Sequence, residues 1–413
     1  MPVPTELPLG SADADSTGDP SDAGMPAGLR SGPVYLDYNA TTPVDSRVLA
    51  AMMPFLDTHF ANPSSSHHYG DAPHAAVARA RAQLAALIGA VPDEITFTGS
   101  GSEADAMAIR GVAIAAIDAG VDRPHVITQP TEHPAVLAAC RYVQRHHGAQ
   151  ITVLPVDDHG LVHPDAVGAA LTPRTVLVTV MHANNETGVL QPLSQLAAIA
   201  HEHGALFHTD AAQTVGKVPV DVTALGADLL TAVGHKMYAP KGIAALYIRD
   251  GVHPIPLIGG GGQERGLRAG TENVPYAVAL GAAADLAAAD LAAGAAARLA
   301  ALRDELHVTL DRQLATRVHL NGHATQRLPH TLNISIDGVA ADAVLAACPT
   351  LAASTGSACH AGQQQPSPVL LAMGRSERSA LAAFRLSLGR WTTHADIQHA
   401  ARVLAQHVAH HVR

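Results

Sequence analysis

The feature that most constrains the fold is an alternation. From Val34 onward, short runs rich in branched apolar residues trade places with longer alanine-rich stretches. Seven runs read as strands: "EITFTG", "HVITQP", "QITVLPV", "TVLVTVMHA", "ALFHTDA", "DLLTAVG" and "IAALYI". Between them lie helical patterns such as "APHAAVARARAQLAALIG" and "PLSQLAAIAHEHG". Strands separated by helices are joined by crossovers, which predicts α/β architecture with a mostly parallel sheet. One alanine-rich helix is expected near residues 276–313, and after it the pattern changes. There "TLNISIDG" and "TLAASTG" read as strands, and "AADAVLAAC" and "ERSALAAF" as helices. A chain of 413 residues also exceeds the roughly 250–300 residues that one core usually serves, so two units are expected. The boundaries read as a disordered tail over 1–32, a large unit over 33–290 and a small unit over 291–413. The first residues of the large unit could join the small one.

Composition narrows the classes further. Apolar residues make up 47% but aromatics only 3%, so the core is built of Ala, Val, Leu and Ile. A net charge of −10 argues against a nucleic-acid partner and gives no membrane-surface signal. No apolar run is read as approaching the ~20 residues that span a bilayer. Cys140, Cys348 and Cys359 are odd in number and far apart, which argues against a disulfide framework and for a reducing cytoplasm. The 26 histidines are mostly scattered, and even "HVAHHVR" reads as solvated surface, so no metal site is expected. The opening residues are rich in Pro, Gly, Ser and Asp and lack an apolar centre. They fit neither a secretory signal nor a transit peptide.

Three motifs carry chemistry. "FTGSGSEADAMAI" joins a strand to a helix, where backbone N–H groups and the hydroxyls of Ser100 and Ser102 would cradle a phosphate. The same glycines, Gly99 and Gly101, with Ala104 satisfy G-x-G-x-x-A, so a dinucleotide fingerprint with Asp118 or Asp122 as ribose ligand stays open, as does a simple capped helix. In "FHTDAAQTVGK", Asp210 ends an apolar strand as a buried carboxylate or as a helix cap, with Gln213 completing the cap or facing the same cleft. In "TAVGHKMYAPKG", Lys236 is either a snorkelling surface lysine or an amine held in apolar surroundings. In the second case it would lose its charge and form an imine with a carbonyl. Lys241 reads as a surface residue. A phosphate cradle, a buried acid and an amine nucleophile on successive strand ends are together what a pyridoxal-phosphate enzyme needs.

At this point the chain resembles the cysteine desulfurases, a pyridoxal-phosphate-dependent, class V aminotransferase-like family that has the selenocysteine lyases as close relatives. The resemblance runs from "YLDYNATTPV" to "FRLSLGRWTTHADI". It includes "NPSSSHHYG", "TEHPAVL", "MHANNETGVLQP", "FHTDAAQTVGKVPVDV", "GHKMYAPKGIAALYIR", "GGGQERGLRAGTENVP", "STGSACHAG" and "QPSPVLLAMG". It implies the type I pyridoxal-phosphate aminotransferase fold: a large domain with a mostly parallel seven-stranded sheet plus a smaller α/β C-terminal domain.

The resemblance also assigns roles. Lys236 would hold pyridoxal 5′-phosphate through a Schiff base and shuttle protons at the substrate. Asp210 would pair with the ring nitrogen. Gln213 and Asn185 would hydrogen-bond the phenolic oxygen, and His133 would stack on the ring and assist proton transfer. Gly101, Ser102 and His235 would bind the phosphate, joined by Thr271 from a second subunit of a homodimer. Arg385 would clamp the substrate carboxylate, with Asn39 nearby. Cys359 would attack the sulfur of L-cysteine, leaving L-alanine and an enzyme persulfide to be passed to an acceptor protein in iron–sulfur or thio-cofactor and tRNA pathways. Its thiol needs activation, for which His360 and His133 are candidates. Gly356 and Gly362 would let the loop move, and weak order is expected over residues 358–366. One position departs from the family pattern: Val233 stands where many relatives carry a phosphate-binding serine. The alternatives are a selenocysteine lyase using the same machinery and, from another class, a nicotinamide-dependent oxidoreductase built on "GSGSEA".

Overall fold

The computed structural model describes residues 23–315, 317–355 and 365–411. All seven runs form strands of one sheet. After a two-residue strand β1 (Val34–Tyr35) come β2 (Ile95–Thr98), β3 (His125–Thr128), β4 (Gln150–Val153) and β5 (Thr175–Thr179). They are followed by β6 (Leu206–Asp210), β7 (Leu229–Val233) and β8 (Ala244–Ile248). The sheet order is β2-β8-β7-β6-β5-β3-β4, and every pairing is parallel except those of β8, which runs against β2 and β7. Strands β2, β3, β7 and β8 are buried at every residue, which is why they read as unbroken apolar runs rather than as alternations.

Alternate strand residues still serve different faces. Leu229 and Leu246 pack with Ala104, Met107 and Val136 from the helices Gly101–Asp118 and Pro134–His147. Leu230, Ala232, Ala245 and Tyr247 pack on the other side with the helices His68–Ile88 and Val274–Ala292. Those two helices approach so closely that a Cβ on Gly281 would lie 2.6 Å from the Ala80 Cα, so the contact needs small residues. By length and composition Val274–Ala292 could cross a bilayer, with mean hydropathy 1.3. Its apolarity comes largely from alanine, so it does not stand out in the sequence as a long apolar run. Here its buried face is part of the main core.

The expected helix over 276–313 is two helices, Val274–Ala292 and Ala295–Leu314. The break falls at Gly294, whose φ of 78° lies in the left-handed region where glycine costs nothing. Beyond it an antiparallel sheet forms in the order β12-β10-β9, from β9 (Val318–Leu320), β10 (Thr331–Ile336) and β12 (Ala383–Ser387). Between β10 and β12 in the chain, β11 (Leu351–Ala352) pairs in parallel with β1. Two expectations are corrected here. The helix read in "ERSALAAF" stops at Leu381, and Ala383 and Phe384 open β12, where all five residues are buried. The strand read in "TLAASTG" is only Leu351–Ala352. Leu36 joins the core of this second sheet rather than that of the first.

The tail expected over 1–32 also ends earlier. Ala27–Arg30 is helical, Trp391 Nε1 donates to the Ala23 carbonyl at 3.2 Å, and Met25 and Leu29 pack on the cluster of Tyr38, Tyr238 and Trp391. The apolar side chains of Met25 and Leu29 are enough to dock this stretch. Residues 1–22 lie outside the described chain.

Candidate active site

In open α/β sheets ligands bind beyond the carboxyl ends of the strands. Here the ends of β5, β6 and β7 deliver, in turn, the segment Met181–Asn185, Asp210, and Val233 to Lys236. Asp210 is the last residue of β6 and is buried, its Oδ1 accepting from the Ala212 amide at 2.9 Å. Burial pushes its carboxyl up, while that hydrogen bond, His133 and Lys236 pull it back down. The reading of Asp210 as a buried acid therefore holds.

Lys236 leaves the short turn Gly234–Lys236 after β7, and its Nζ donates to the carbonyls of Asn39 and Ala40 at 2.6 and 2.8 Å. It is no snorkelling surface lysine. Burial, then the neighbouring Arg385, lowers it to about 8, against the pull of Asp210 and Asp37. His133 caps the helix Pro134–His147 by accepting from the Ala135 amide at 3.2 Å. Burial pushes its imidazole down, Asp210 pushes it up and Lys236 down again. These three groups act on one another and form one electrostatic unit.

The N-terminal segment closes the site. The Asn39 carbonyl accepts from both Lys236 and Gln213 Nε2, the latter at 3.1 Å. The Asn39 amide donates to the Asn185 carbonyl at 3.1 Å and to Thr331 Oγ1 at 2.9 Å. Arg385, on β12, donates to the same Asn185 carbonyl at 3.2 Å and to Asp37 Oδ1 at 2.8 Å, and its buried Nε has no partner among the described residues. A carboxylate approaching Arg385 thus meets a guanidinium already shared with Asp37, a residue that the sequence reading did not single out.

The expected phosphate cradle lies at the start of the helix Gly101–Asp118. Ser100 is spent as its N-cap, accepting from the Glu103 amide at 3.2 Å, while Ser102 is exposed. Glu103 accepts from the Gly99 amide of the same turn and from Arg268 Nε, at 2.8 and 2.9 Å. A Cβ on Gly101 would lie 2.6 Å from Val233 Cγ2, so the departing residue Val233 leans on the helix start itself. His235 Nδ1 lies 3.1 Å from Thr41 Oγ1, and burial followed by Lys236 and Lys241 pushes the ring down to about 4. Thr271 is exposed, in the loop before the helix Val274–Ala292. The dinucleotide alternative fails on topology. β2, which feeds the glycine turn, is an edge strand antiparallel to β8 instead of a central parallel strand.

Behind Asp210 lie acids that the sequence reading missed. Glu132 is buried and accepts from Gln129 Nε2 and the Met181 amide at 2.8 and 2.6 Å, leaving Oε2 without a partner. Burial pushes it up to about 8. Asp105, from the glycine-turn motif, is pushed well up by burial and by Asp210. Between the strands His208 is buried, with Nδ1 2.8 Å from Thr179 Oγ1, and burial pushes it down to about 3. A polar residue inside an apolar run was the available signal for His208.

These residues fit pyridoxal phosphate. The Gln213 Oε1 is buried and unpartnered, the acid and the amine are set at adjacent strand ends, and a helix start with a glycine amide faces the same edge. Among the described residues no group of three or more His, Cys, Asp and Glu is placed to hold a metal ion. Cys359 and His360, and the loop residues Gly356 and Gly362, lie outside the described residues, as does most of the segment expected to be weakly ordered.

Comparison with known proteins adds the following. The aminotransferase class-V family matches residues 34–399. The chain is 44% identical over 373 residues to cysteine desulfurase IscS of Dictyoglomus turgidum, covering 90% of this chain and 93% of that protein. It is 45% identical over 375 residues to a cysteine desulfurase of Trichormus azollae, covering 90% and 92%. Among solved structures, a NifS-like protein superposes with TM-score 0.84 at 33% identity, over 92% of this chain and 100% of the other. SspA in complex with cysteine superposes with TM-score 0.74 at 36% identity, over 87% and 99%.

Proposed function

The chain belongs to the class-V aminotransferase family and is a pyridoxal-phosphate-dependent enzyme of the cysteine desulfurase group; from that premise we propose how its residues take sulfur from L-cysteine. The observation that carries the proposal is Lys236, an amine lowered to about 8 and aimed at two carbonyls of the segment that also binds Gln213. Bound there, pyridoxal phosphate supplies an electron sink that weakens the bonds around the substrate α-carbon. Lys236 would anchor it, Asp210 would hold a proton on its ring nitrogen, and Gly101, Ser102 and His235 would hold its phosphate. Gln213 and Asn185 would meet its phenolic oxygen, and His133 its face.

Arg385 holds the substrate carboxylate, with Asn39 beside it. Lys236 moves a proton at the α-carbon, and its lowered pKa leaves a larger neutral fraction near neutrality than an ordinary lysine has. Cys359 forms a bond to the substrate sulfur as the carbon–sulfur bond breaks. The sulfur stays on the enzyme as a persulfide, and the β-carbon takes a proton to give L-alanine. A sulfur acceptor must then reduce or receive the persulfide.

A homodimer in the cytoplasm is part of the same proposal. Leu49, Met53, Leu56, Phe60 and Tyr69 are all exposed within one short stretch, and the Phe60 and Tyr69 rings lie 6.2 Å apart. Exposed apolar surface of this density marks an interface, and a second copy there would allow Thr271 to reach a neighbour's phosphate. Cys140 and Cys348 are buried free thiols, in keeping with a reducing compartment.

The test is alanine release from L-cysteine and L-selenocysteine, with Cys359→Ala in parallel. The variant should lose activity on L-cysteine. Full activity there would refute the persulfide step, and release from L-selenocysteine alone would assign the chain as a selenocysteine lyase.

A further inference from the structure

A further cavity, which Lys236 does not line, lies where the turn Gly216–Lys217 meets the break between the two long helices. It encloses about 280 Å³ and is lined by Lys217, Arg47, Arg298, Arg390, Asp290 and the helix start at Gly294 to Ala296. We propose that this cavity binds a small inorganic oxyanion of the phosphate or sulfate type.

The first support is Lys217. It is only 7% exposed, and among the described residues its Nζ has no hydrogen-bond partner. The turn that carries it has little freedom to swing away. Gly216 has φ 74°, and a Cβ there would lie 2.8 Å from Met237 Cγ and 2.9 Å from Ala287 Cβ. A buried ammonium without an acceptor is costly, and the cost falls when an anion pairs with it. Burial, then Lys236 and Arg390, accordingly pushes Lys217 down to about 7.

The second support is the helix Ala295–Leu314, 20 residues long. Its N-cap Gly294 supplies no side-chain hydrogen bond, and its first turn holds no acidic residue. The amides of Ala297 and Arg298 turn back to the Gly294 carbonyl, which leaves those of Ala295 and Ala296 at the cavity wall. A helix start of this kind attracts anions.

Charge accounting selects the class of ligand. Arg390 is matched by Asp45 and Asp290 at 2.6 and 2.7 Å, and Arg47 by Asp45 at 2.7 Å. Among the described residues Arg298 donates only to the carbonyls of Thr392 and Arg390, and Lys217 has no acceptor. Two basic side chains therefore stand there without a carboxylate, and a bound oxyanion would draw Lys217 into its charged form.

The site does not depend on which amino acid the enzyme desulfurates. The experiment is isothermal titration calorimetry of inorganic phosphate into the pyridoxal-phosphate-loaded enzyme, in a low-salt buffer free of phosphate and sulfate. One saturable site per chain is expected, with the visible band of the bound cofactor unchanged. Lys217→Met should weaken binding at least tenfold. Ala295→Asp, which puts a carboxylate in the helix's first turn and so keeps the fold, should abolish it. The absence of saturable uptake, uptake that both variants leave unchanged, or loss of the cofactor band on titration would each overturn the proposal.

Discussion

Two charged clusters sit within one fold and behave in opposite ways. Around Asp45, fully buried, every oxygen is used: Oδ1 accepts from the Arg47 amide and Nε, both at 2.9 Å, and Oδ2 from Arg47 and Arg390. Arg390 also stacks over the Tyr238 ring at 4.1 Å and reaches Asp290. Around Asp210 the buried carboxyls are only partly satisfied. Among the described residues Glu132 and Asp105 keep unpartnered oxygens, and burial pushes all three acids up. A satisfied network rigidifies; an unsatisfied one holds groups whose protonation can change during a reaction. The first cluster ties the N-terminal segment to both units, and the second lies where the proposed chemistry would take place.

The comparison breaks most visibly at Lys236. Lys236→Ala should lower alanine release by roughly 10³-fold or more while leaving the thermal midpoint within a few degrees, measured by turnover and calorimetry on the same preparation. Asp45→Ala should do the reverse. Leaving Arg390 with Asp290 alone and Arg47 without its carboxylate should cost about 3 kcal/mol in denaturant unfolding, with turnover per folded molecule little changed. Loss of turnover from a fully folded Asp45→Ala protein would show that the two clusters are not separable.

Smaller effects sharpen the contrast. Glu132 holds its proton in the folded state up to about pH 8 but only to its ordinary 4.5 when unfolded, so folding takes up a proton and stability falls as pH rises between those values. Glu132→Gln keeps the acceptor for Gln129 and Met181 and removes this penalty. It should stabilise the protein by on the order of 2 kcal/mol at pH 8, a gain that shrinks toward pH 5. Lys236 gives the mildest test. Only its neutral form attacks a carbonyl, so yellow colour on adding pyridoxal phosphate to apoenzyme should develop faster as pH rises, half-maximally near pH 8.

Much of this was legible in the chain. The seven strands of the main sheet were readable because burial on both faces demands uninterrupted apolar residues, as in "DLLTAV" and "AALYI". The break at Gly294 was not, because one glycine in an alanine-rich stretch leaves the helical pattern intact and only its positive φ marks the stop. β12 was hidden for a related reason: Ala383 and Phe384 continue a helical pattern, and cross-strand pairing with β10 claims them. Asp37 and Glu132 stood inside quoted motifs, yet nothing local distinguishes a carboxylate that will face Arg385 or lie buried from one in water.

What the sequence by itself determined is the list of elements and the order of the motifs, because periodicity and turn chemistry are local. Only the tertiary structure decided what each group does. The Asn39 carbonyl reaches Lys236 across 197 positions of chain and Gln213 across 174. Ionisation depends on burial and on neighbouring charge, and both are set by residues brought together from distant parts of the chain. The same holds for Lys217, an ordinary lysine in "TVGKV" until the fold buries its amine beside a helix start, without a hydrogen-bond partner among the described residues.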